Sequence, residues 1–317
     1  MSLSLWLVIC LGGDRWWPAT FLLFAPRWLA ALPLAVLLPL AVWRNRLALF
    51  PLLAGGAVVL GPYMGLQLNP GASAHPGGQA LRVLTCNVEG GSFDAKALAA
   101  LIDGTGADIV ALQECPREID LKLALPPKWQ VSQSGQLAVI SKYPLESPKT
   151  VQAMHPPHKW PRTCLLQCVV HAPSGDLVFN SIHLPSPRYG LQTLLDRHTL
   201  IDPSRKGLLV QETSQRRQTA REVQRVVASS TLPTVVAGDF NMPVDSSIYR
   251  AVWGGYRNAF STVGRGYGWT QRSMVRGLPI VVRIDHVLLG GGLVARGCQT
   301  GTDVGSDHLP LLADITR

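Results

Sequence analysis

The sequence predicts an α/β protein whose N-terminal part crosses a membrane. Apolar runs of about four to six residues, typical of buried strands, recur between residues 81 and 314. Residues 205–229 predict a long helix with a basic, solvated face formed by Arg216, Arg217, Arg221 and Arg225. This face could instead guide an anionic substrate or approach anionic lipid headgroups. By contrast, the first 79 residues contain only four of the 29 Lys and Arg residues and one of the 20 acids.

This change in composition near residue 70 divides the chain into three parts. Residues 1–68 are predicted to be a membrane-anchoring region with two or three transmembrane helices, residues 69–79 a flexible linker, and residues 80–317 a single larger domain. A domain of about 240 residues lies within the usual size range for one hydrophobic core.

The strongest candidate span is residues 47–66, twenty residues without a formal charge. As a helix this stretch would cross a hydrocarbon layer about 30 Å thick. Residues 28–43 are also uncharged and are predicted to span by extending back toward Phe21, and residues 2–12 form a third, shorter apolar stretch. A buried helical hairpin in a soluble protein is the alternative, although no polar face is available to meet water.

Positive charge next to the spans suggests an orientation. Arg44 and Arg46 lie in the connection WRNR between the two best candidates, and the positive-inside rule places such a connection in the cytoplasm. The larger domain would then lie on the extracytoplasmic side of the inner cell membrane. Arg15 and Arg27 flank the preceding loop and reduce this bias.

Polar side chains lie within or directly after the strand-like runs of the larger domain, at five places in the sequence. These residues are Asn87 with Glu89, Glu114, His183, Asp239 with Asn241, and Asp307 with His308. Because strand ends can converge on one rim of a sheet, where ligands usually bind, this pattern predicts a metal-assisted hydrolytic site.

The motifs that contain these residues resemble those of the endonuclease/exonuclease/phosphatase superfamily of magnesium-dependent phosphoesterases. The resemblance covers roughly residues 80–317 and rests on LTCNVEG, ALQE, SIHLP, VAGDFNMP, RIDHVLL and GSDHLPL, in the order the family uses. It implies a four-layered α/β sandwich, in which two packed mixed sheets are flanked by helices. It also implies phosphoester hydrolysis with Mg²⁺, or Mn²⁺ as a substitute.

The resemblance assigns Glu114, at the end of the ALQE motif, as the principal metal ligand, with Asn87 and Asp307 beside the metal. Oxygen donors of this kind suit Mg²⁺, which is usually held by one or two carboxylates and several waters. Glu89 occupies a position where some members carry a second acid, although an exposed loop acid would look the same.

The remaining candidates are catalytic or substrate-binding. Asp239 and Asn241 are two residues apart, so in extended backbone their side chains face the same way, toward a water and the developing phosphorane charge. By resemblance His183 contacts the scissile phosphate, Asp285 orients His308, and His308 binds phosphate or transfers a proton. Arg162 occupies the position of a phosphate-contacting arginine. His286 is expected to point to the opposite side of its strand.

The substrate is left open between two classes. Membrane tethering favours a phosphodiester or phosphomonoester of a lipid headgroup, with Leu191, Leu194 and Leu195 positioned to enter the bilayer. The alternative is an endonuclease or exonuclease acting on DNA or RNA, since the net charge of +9 suits any polyanion. No obligate protein partner is evident. Cys86 and Cys115 adjoin proposed site residues and could pair if the domain faces an oxidising compartment.

Overall fold

A computed structural model describes residues 1–69, 80–89, 95–116, 121–154, 160–195 and 206–317. The helices are α1 (Ser2–Gly12), α2 (Trp17–Phe24), α3 (Leu32–Arg44), α4 (Leu49–Val58), α5 (Ala95–Thr105), α6 (Leu121–Ala124), α7 (Arg188–Leu195), α8 (Lys206–Val227), α9 (Ser247–Trp253) and α10 (Ala259–Val263).

Strands account for most of the larger domain. They are β1 (Gln67–Leu68), β2 (Leu81–Asn87), β3 (Ile109–Gln113), β4 (Gln130–Ser134), β5 (Leu137–Ser141), β6 (Leu145–Ala153), β7 (Arg162–Ala172), β8 (Gly175–His183), β9 (Thr234–Asp239), β10 (Arg257–Asn258), β11 (Arg265–Gly266), β12 (Gln271–Val275), β13 (Leu278–Val282), β14 (Asp285–Gly290), β15 (Val294–Thr300) and β16 (Leu311–Thr316).

Two six-stranded mixed sheets form the centre of the domain. The first sheet has the order β15-β16-β2-β3-β5-β4, and the second has the order β10-β14-β9-β8-β7-β6. Each sheet contains a parallel central pair, β2 with β3 and β8 with β9, flanked by antiparallel neighbours. Predicted site residues lie at or just after the carboxyl end of each of these four central strands, namely Asn87, Glu114, His183 and Asp239.

Both sheets are buried on both faces, which explains the continuous apolar runs in the sequence. The inner faces pack on each other through side chains such as Val83 and Phe179. The outer face of the first sheet packs against α5 and α6, with Leu98 in this contact, and the outer face of the second packs against α8 and α9, with Trp253 in this contact. The predicted four-layered α/β sandwich is confirmed.

The N-terminal helices contain two continuous apolar segments, Arg27–Arg44 and Arg46–Tyr63, each of 18 residues with a mean hydropathy of 1.4. They are long and apolar enough to cross a membrane. Large apolar side chains along them are exposed, including Val36 at 69% and Phe50 at 75%. At about 1.5 Å per residue each segment spans about 27 Å, close to the thickness of a hydrocarbon core.

The predicted boundaries of this region need two corrections. The first span does not extend back toward Phe21, because α2 ends at Phe24 and Pro26 begins a separate turn. Asn69, placed in a flexible linker by its composition, is bonded to the larger domain: its side chain donates to the carbonyls of Ser261 and Gly264. The rest of the predicted linker, residues 70–79, lies outside the described residues.

Two further expectations are settled by burial. The solvated basic face predicted for α8 holds for Arg221 and Arg225, which are exposed, but is wrong for Arg216, which is fully buried. Cys86 and Cys115 are both buried with free thiols, so the disulfide considered from the sequence is not formed. Burial raises the pKa of the Cys115 thiol to about 11, which makes it a poor nucleophile.

Candidate active site

The register of the strands brings the predicted site residues to one rim. In the second sheet His183 pairs with Asp239 across the parallel strands, and Asp239 pairs with Asp285 across the antiparallel ones. In the first sheet Asn87 pairs with Gln113, and Glu114 follows directly. Because the sheets pack face to face, these two rows of strand ends meet.

Asn87 joins the two rows. Its Nδ2 donates to Glu114 Oε1 at 3.3 Å and to Asp239 Oδ2 at 3.2 Å, while its Oδ1 accepts from the backbone N–H of Glu89 at 3.0 Å. His183 Nε2 lies 3.7 Å from Glu114 Oε1 and 3.6 Å from Asp239 Oδ2. Two carboxylates from different sheets are therefore held beside one amide and one imidazole.

Two of the predicted site residues, Glu114 and Asn241, have backbone conformations that few residues other than glycine adopt. Glu114 has φ 54° and Asn241 has φ 50°, in the left-handed region. Such positions cluster at functional sites, where the surrounding structure fixes them. The left-handed turn at Asn241 lets its N–H donate to Asp239 Oδ1 at 2.7 Å, while its Nδ2 donates to the Leu184 carbonyl at 2.8 Å. Asp239 and Asn241 were expected to face the same way in extended backbone. This premise is wrong, because β9 ends at Asp239 and Asn241 is left-handed, although Asn241 Nδ2 lies 3.3 Å from Asp239 Oδ2.

Asp285 and His308 form a buried pair, with Asp285 Oδ2 2.8 Å from His308 Nδ1. Thr270 fixes the start of β14 because its hydroxyl accepts from the N–H groups of Ile284 and Asp285. Burial lowers the pKa of His308, but the nearby carboxylates of Asp285, Asp239 and Asp307 outweigh it and raise the pKa to about 10. The imidazole therefore carries a positive charge at neutral pH.

The carboxyl groups of Asp239 and Asp307 are less acidic than usual. Burial, reinforced by the charge of Asp285, raises the pKa of Asp239 to about 6, and burial raises the pKa of Asp307 to about 6. A bound cation would lower both values, because it favours the ionised forms.

The raised pKa of His308 predicts a pH dependence of stability. Its folded pKa of about 10 exceeds the unfolded value of about 6.5, so its stabilising effect is complete below pH 6.5 and is lost as the pH rises through 10. We expect the difference in unfolding free energy between the wild type and His308→Gln to shrink from pH 6.5 to 10. Denaturant unfolding in EDTA measures it; a difference independent of pH would contradict the imidazolium.

Two residues near the site were not singled out from the sequence. Arg188, at the start of α7, lies 3.7 Å from Glu89 Oε1 and 3.9 Å from Asp307 Oδ2. Ser306 donates to the Asn87 carbonyl and accepts from the His308 N–H, so it joins the last motif to β2. The Ser of GSDH was a visible signal for Ser306, whereas nothing in SPRYG distinguished Arg188 from a surface residue.

Two further positions were weighed from the sequence. Arg162 begins β7, and the pairing of Leu165 with Ile182 places it at the same end of the sheet as His183; its contact with phosphate stays a prediction. His286 is buried on the far side of β14, where its ring nitrogens contact Asn258 and the Met242 carbonyl. Burial lowers its pKa to about 3, which agrees with leaving it out of the site.

The donors present fit a hard divalent cation. Asp307 Oδ1 is buried and makes no hydrogen bond with the described residues, and the Glu114 side chain is 24% exposed. A cation would satisfy the unpaired oxygen, and carboxylates are the ligands that Mg²⁺ prefers. Asn87 presents its nitrogen to the carboxylates, so in this structure it holds Glu114 and Asp239 in place, and its role as a ligand stays a prediction.

A second group of ligand atoms is a poorer candidate for the metal. Atoms of Asp239, Asp285 and His308 lie within 4.8 Å of one another. However, His308 is already bonded to Asp285, and its raised pKa leaves a proton on both ring nitrogens. An imidazolium has no lone pair to offer a metal, so these three residues fit proton transfer better than metal binding.

Comparison with known proteins identifies the fold and the family. The sequence model of the Endonuclease/Exonuclease/phosphatase family matches residues 84–308, which include five of the six motifs in full and the GSDH of the last one. The chain belongs to this family. Members of the endonuclease/exonuclease/phosphatase family are phosphoester hydrolases, and the chain has their fold. No curated protein sequence matches it.

Solved structures agree on the fold. An endonuclease/exonuclease/phosphatase family protein from Leptotrichia buccalis is 16% identical with a TM-score of 0.53, covering 75% of this chain and 100% of its own. TDP2 from Caenorhabditis elegans is 17% identical with a TM-score of 0.55, covering 75% of each chain. The 3′ phosphatase NExo from Neisseria, bound to a product DNA hairpin, is 15% identical with a TM-score of 0.55, covering 75% and 100%.

Proposed function

We propose that this protein is a membrane-tethered, Mg²⁺-dependent phosphoesterase in which Mn²⁺ can substitute. The observation that carries the proposal is the contact between site residues of the two sheets: Asn87 bridges Glu114 and Asp239, and His183 lies within 3.7 Å of both. Glu114 and Asp307 would hold the metal, with Asn87 beside it. The bound cation would supply Lewis-acid stabilisation of charge on the phosphoryl oxygens.

Asp239 is the proposed base for the attacking water. Hydrogen bonds from the Asn241 N–H and from Asn87 fix both of its oxygens. A buried carboxylate with a raised pKa accepts a proton more readily than an ordinary one. Asn241 also donates to Asp239 Oδ2 through a longer contact of 3.3 Å, and we propose that this hydrogen turns to the developing phosphorane oxygen.

Cationic and imidazole groups around the cleft would bind phosphate and complete the proton transfers. His183 and Arg162 are proposed to contact the substrate phosphate. His308 Nε2 lies 3.9 Å from Asp239 Oδ2 and 3.9 Å from Asp307 Oδ1. As an imidazolium held by Asp285, it would donate a proton to the leaving oxygen.

The two apolar segments are proposed to form a transmembrane hairpin. Their near ends contact the larger domain, because Arg27 pairs with Asp245 at 2.6 Å and donates to the Tyr63 carbonyl. Their far ends meet at the exposed connection that contains Arg44 and Arg46. A hairpin that crosses the bilayer therefore places this basic tip and the catalytic domain on opposite sides, and the positive-inside rule puts the domain outside the cytoplasm.

We expect cysteine labelling to report this topology. Ser229→Cys, exposed at the end of α8, should react with an impermeant maleimide in intact cells, because it lies on the domain side. Asn45→Cys, exposed at the tip, is the matched control and should react only after permeabilisation. Of the native cysteines, Cys10 is half-buried and the other five are buried, so background labelling is low. The reverse pattern would invert the orientation.

A membrane-associated phosphoester, such as a lipid headgroup, is the proposed substrate. β1 pairs with β11 and Asn69 is bonded to the domain, so the domain is held directly against the membrane region. Headgroups would then always lie within reach. Leu191, Leu194 and Leu195 lie on α7 and are half-buried. They remain candidates for bilayer contact, because Arg188 of the same helix lies beside Asp307.

The nuclease alternative has its own support. Fold neighbours include D. rerio TDP2 complexed with a single-strand DNA product, although at 17% identity. We expect the full chain in liposomes with Mg²⁺ to turn over sphingomyelin, phosphoinositides or generic phosphodiesters faster than it cuts plasmid or RNA. Efficient cutting of nucleic acid without any turnover of lipid would replace the lipid proposal with the nuclease one.

A further inference from the structure

The N-terminal region places one acidic side chain inside the catalytic domain. Asp14 lies in the turn between α1 and α2, and its side chain has no exposed surface. Its Oδ1 lies 3.3 Å from Arg216 Nη1, and its Oδ2 accepts from the Ser246 hydroxyl and from the Ile248 N–H. Asp14 is the only acid among the first 79 residues of the sequence. A buried charge in an otherwise apolar region calls for an explanation.

Arg216 connects Asp14 to two loops of the active site. Its Nε donates to the Pro185 carbonyl at 3.1 Å, two residues beyond His183, and its Nη2 donates to the Asn241 carbonyl at 2.7 Å. The guanidinium also lies over the ring of Phe24, at the end of α2, at 5.6 Å. Three fixed donors of one planar group therefore hold the N-terminal turn and both catalytic loops.

The contact with Asn241 bears on catalysis because of the backbone conformation there. Asn241 has φ 50°, and such a conformation persists only where surrounding contacts fix it. Arg216 fixes the carbonyl of this residue, and Asp239 fixes its N–H. If the carbonyl were released, the peptide could relax, which would move the Asn241 amide and the base Asp239 together.

Asp14 is needed to hold Arg216 in this position. Arg216 is completely buried, and burial lowers its pKa while Asp14 opposes the effect. Among the described residues, Asp14 provides the carboxylate within ion-pair distance of Arg216. Glu212 is nearby, but its Oε2 accepts from the Gly190 N–H, and burial raises its pKa. Without Asp14 the guanidinium would be a poorly compensated buried charge, which proteins avoid by moving the group toward water.

We propose that Asp14 and Arg216 are positioning residues through which the N-terminal region completes the active site. The membrane region is then a part of the catalytic unit as well as an anchor. The inference rests on the proposed function of Asp239 and Asn241. It predicts that the defect caused by losing Asp14 appears in kcat, since the loops Asp14 holds carry the groups that act on the transition state.

The test uses the full chain in liposomes, with bis(p-nitrophenyl) phosphate as the probe. We expect Asp14→Asn to lower kcat by about 10- to 100-fold with little change in KM. Asp245→Asn is the matched control, because it breaks a second ion pair between the two regions, Arg27 with Asp245 at 2.6 Å, and leaves the Arg216 contacts in place. It should keep kcat within about twofold even if both variants lower the melting temperature equally.

A second variant and a second readout keep the proposal testable if Asp14→Asn does not fold or if the probe is not hydrolysed. Arg216→Lys keeps the charge for Asp14 but cannot bond both carbonyls, so it should reproduce the kcat defect. Hydrogen exchange at the backbone N–H of Asn241 can be measured without any enzymatic activity. Asp14→Asn should speed this exchange, while Asp245→Asn should not. Unchanged exchange and unchanged kcat in Asp14→Asn would overturn the inference. Faster exchange in Asp14→Asn, together with a wild type that hydrolyses no probe, would overturn only the proposed function.

Discussion

Replacing Glu114 by Gln is expected to reduce turnover by at least about 100-fold at limiting Mg²⁺ while leaving the fold intact. The substitution keeps the shape of the side chain and its contact with Asn87, but it removes the ligand charge. The cleft then loses the charged oxygen that the predicted metal needs, because Mg²⁺ binds carboxylates far better than amides. Steady-state kinetics over a Mg²⁺ titration, with circular dichroism to check the fold, measures the effect.

Glu89→Gln provides the matched control for this prediction. Glu89 is also an acid beside the cleft, but its side chain is 38% exposed and its ion partner is Arg188 at 3.7 Å. If Glu114 is the principal ligand, Glu89→Gln should lower turnover only modestly and leave the Mg²⁺ dependence almost unchanged. Near-normal turnover of Glu114→Gln at limiting Mg²⁺, or an equal loss in both variants, would refute the assignment of Glu114.

The second large effect is expected at the buried pair of Asp285 and His308. His308→Ala should lower kcat by about 10²- to 10⁴-fold, the usual contribution of a positioned acid or base. Asp285→Asn should also lower kcat, because the neutral amide no longer raises the pKa of His308 or fixes its ring. The pH profile of kcat in Asp285→Asn should shift to lower pH on its alkaline side.

A double-mutant cycle tests whether the two residues act as a unit. Once His308 is absent, Asp285 has no imidazole to orient, so the double variant should lose much less than the product of the two single effects. Thr270→Val is a useful companion, because it removes the hydroxyl that accepts from the Ile284 and Asp285 N–H groups but leaves both side chains of the pair unchanged. Fully multiplicative losses would mean that Asp285 and His308 act independently.

Much of the domain and its site could be predicted from short-range features of the sequence. In VLTCN, VALQE and VAGDFN, polar residues directly follow an apolar strand, and this order can be read from the sequence. Continuous apolar runs also require a sheet covered on both faces. Asn87, Glu114 and Asp239 could therefore be placed near one rim before any contact was known. Likewise, the uncharged N-terminal stretches have a length and hydropathy that are properties of the sequence alone.

Only the tertiary structure decided which partners these side chains meet. The sequence placed Arg216 on a solvated basic face and gave Asp14 no role, yet the two pair inside the fold, 202 positions apart. Arg188 and Ser306 reach the site in the same way. Periodicity determines which face of an element an apolar residue takes. The partner of a buried charge depends on the packing of elements distant in sequence, and this packing is a property of the whole fold.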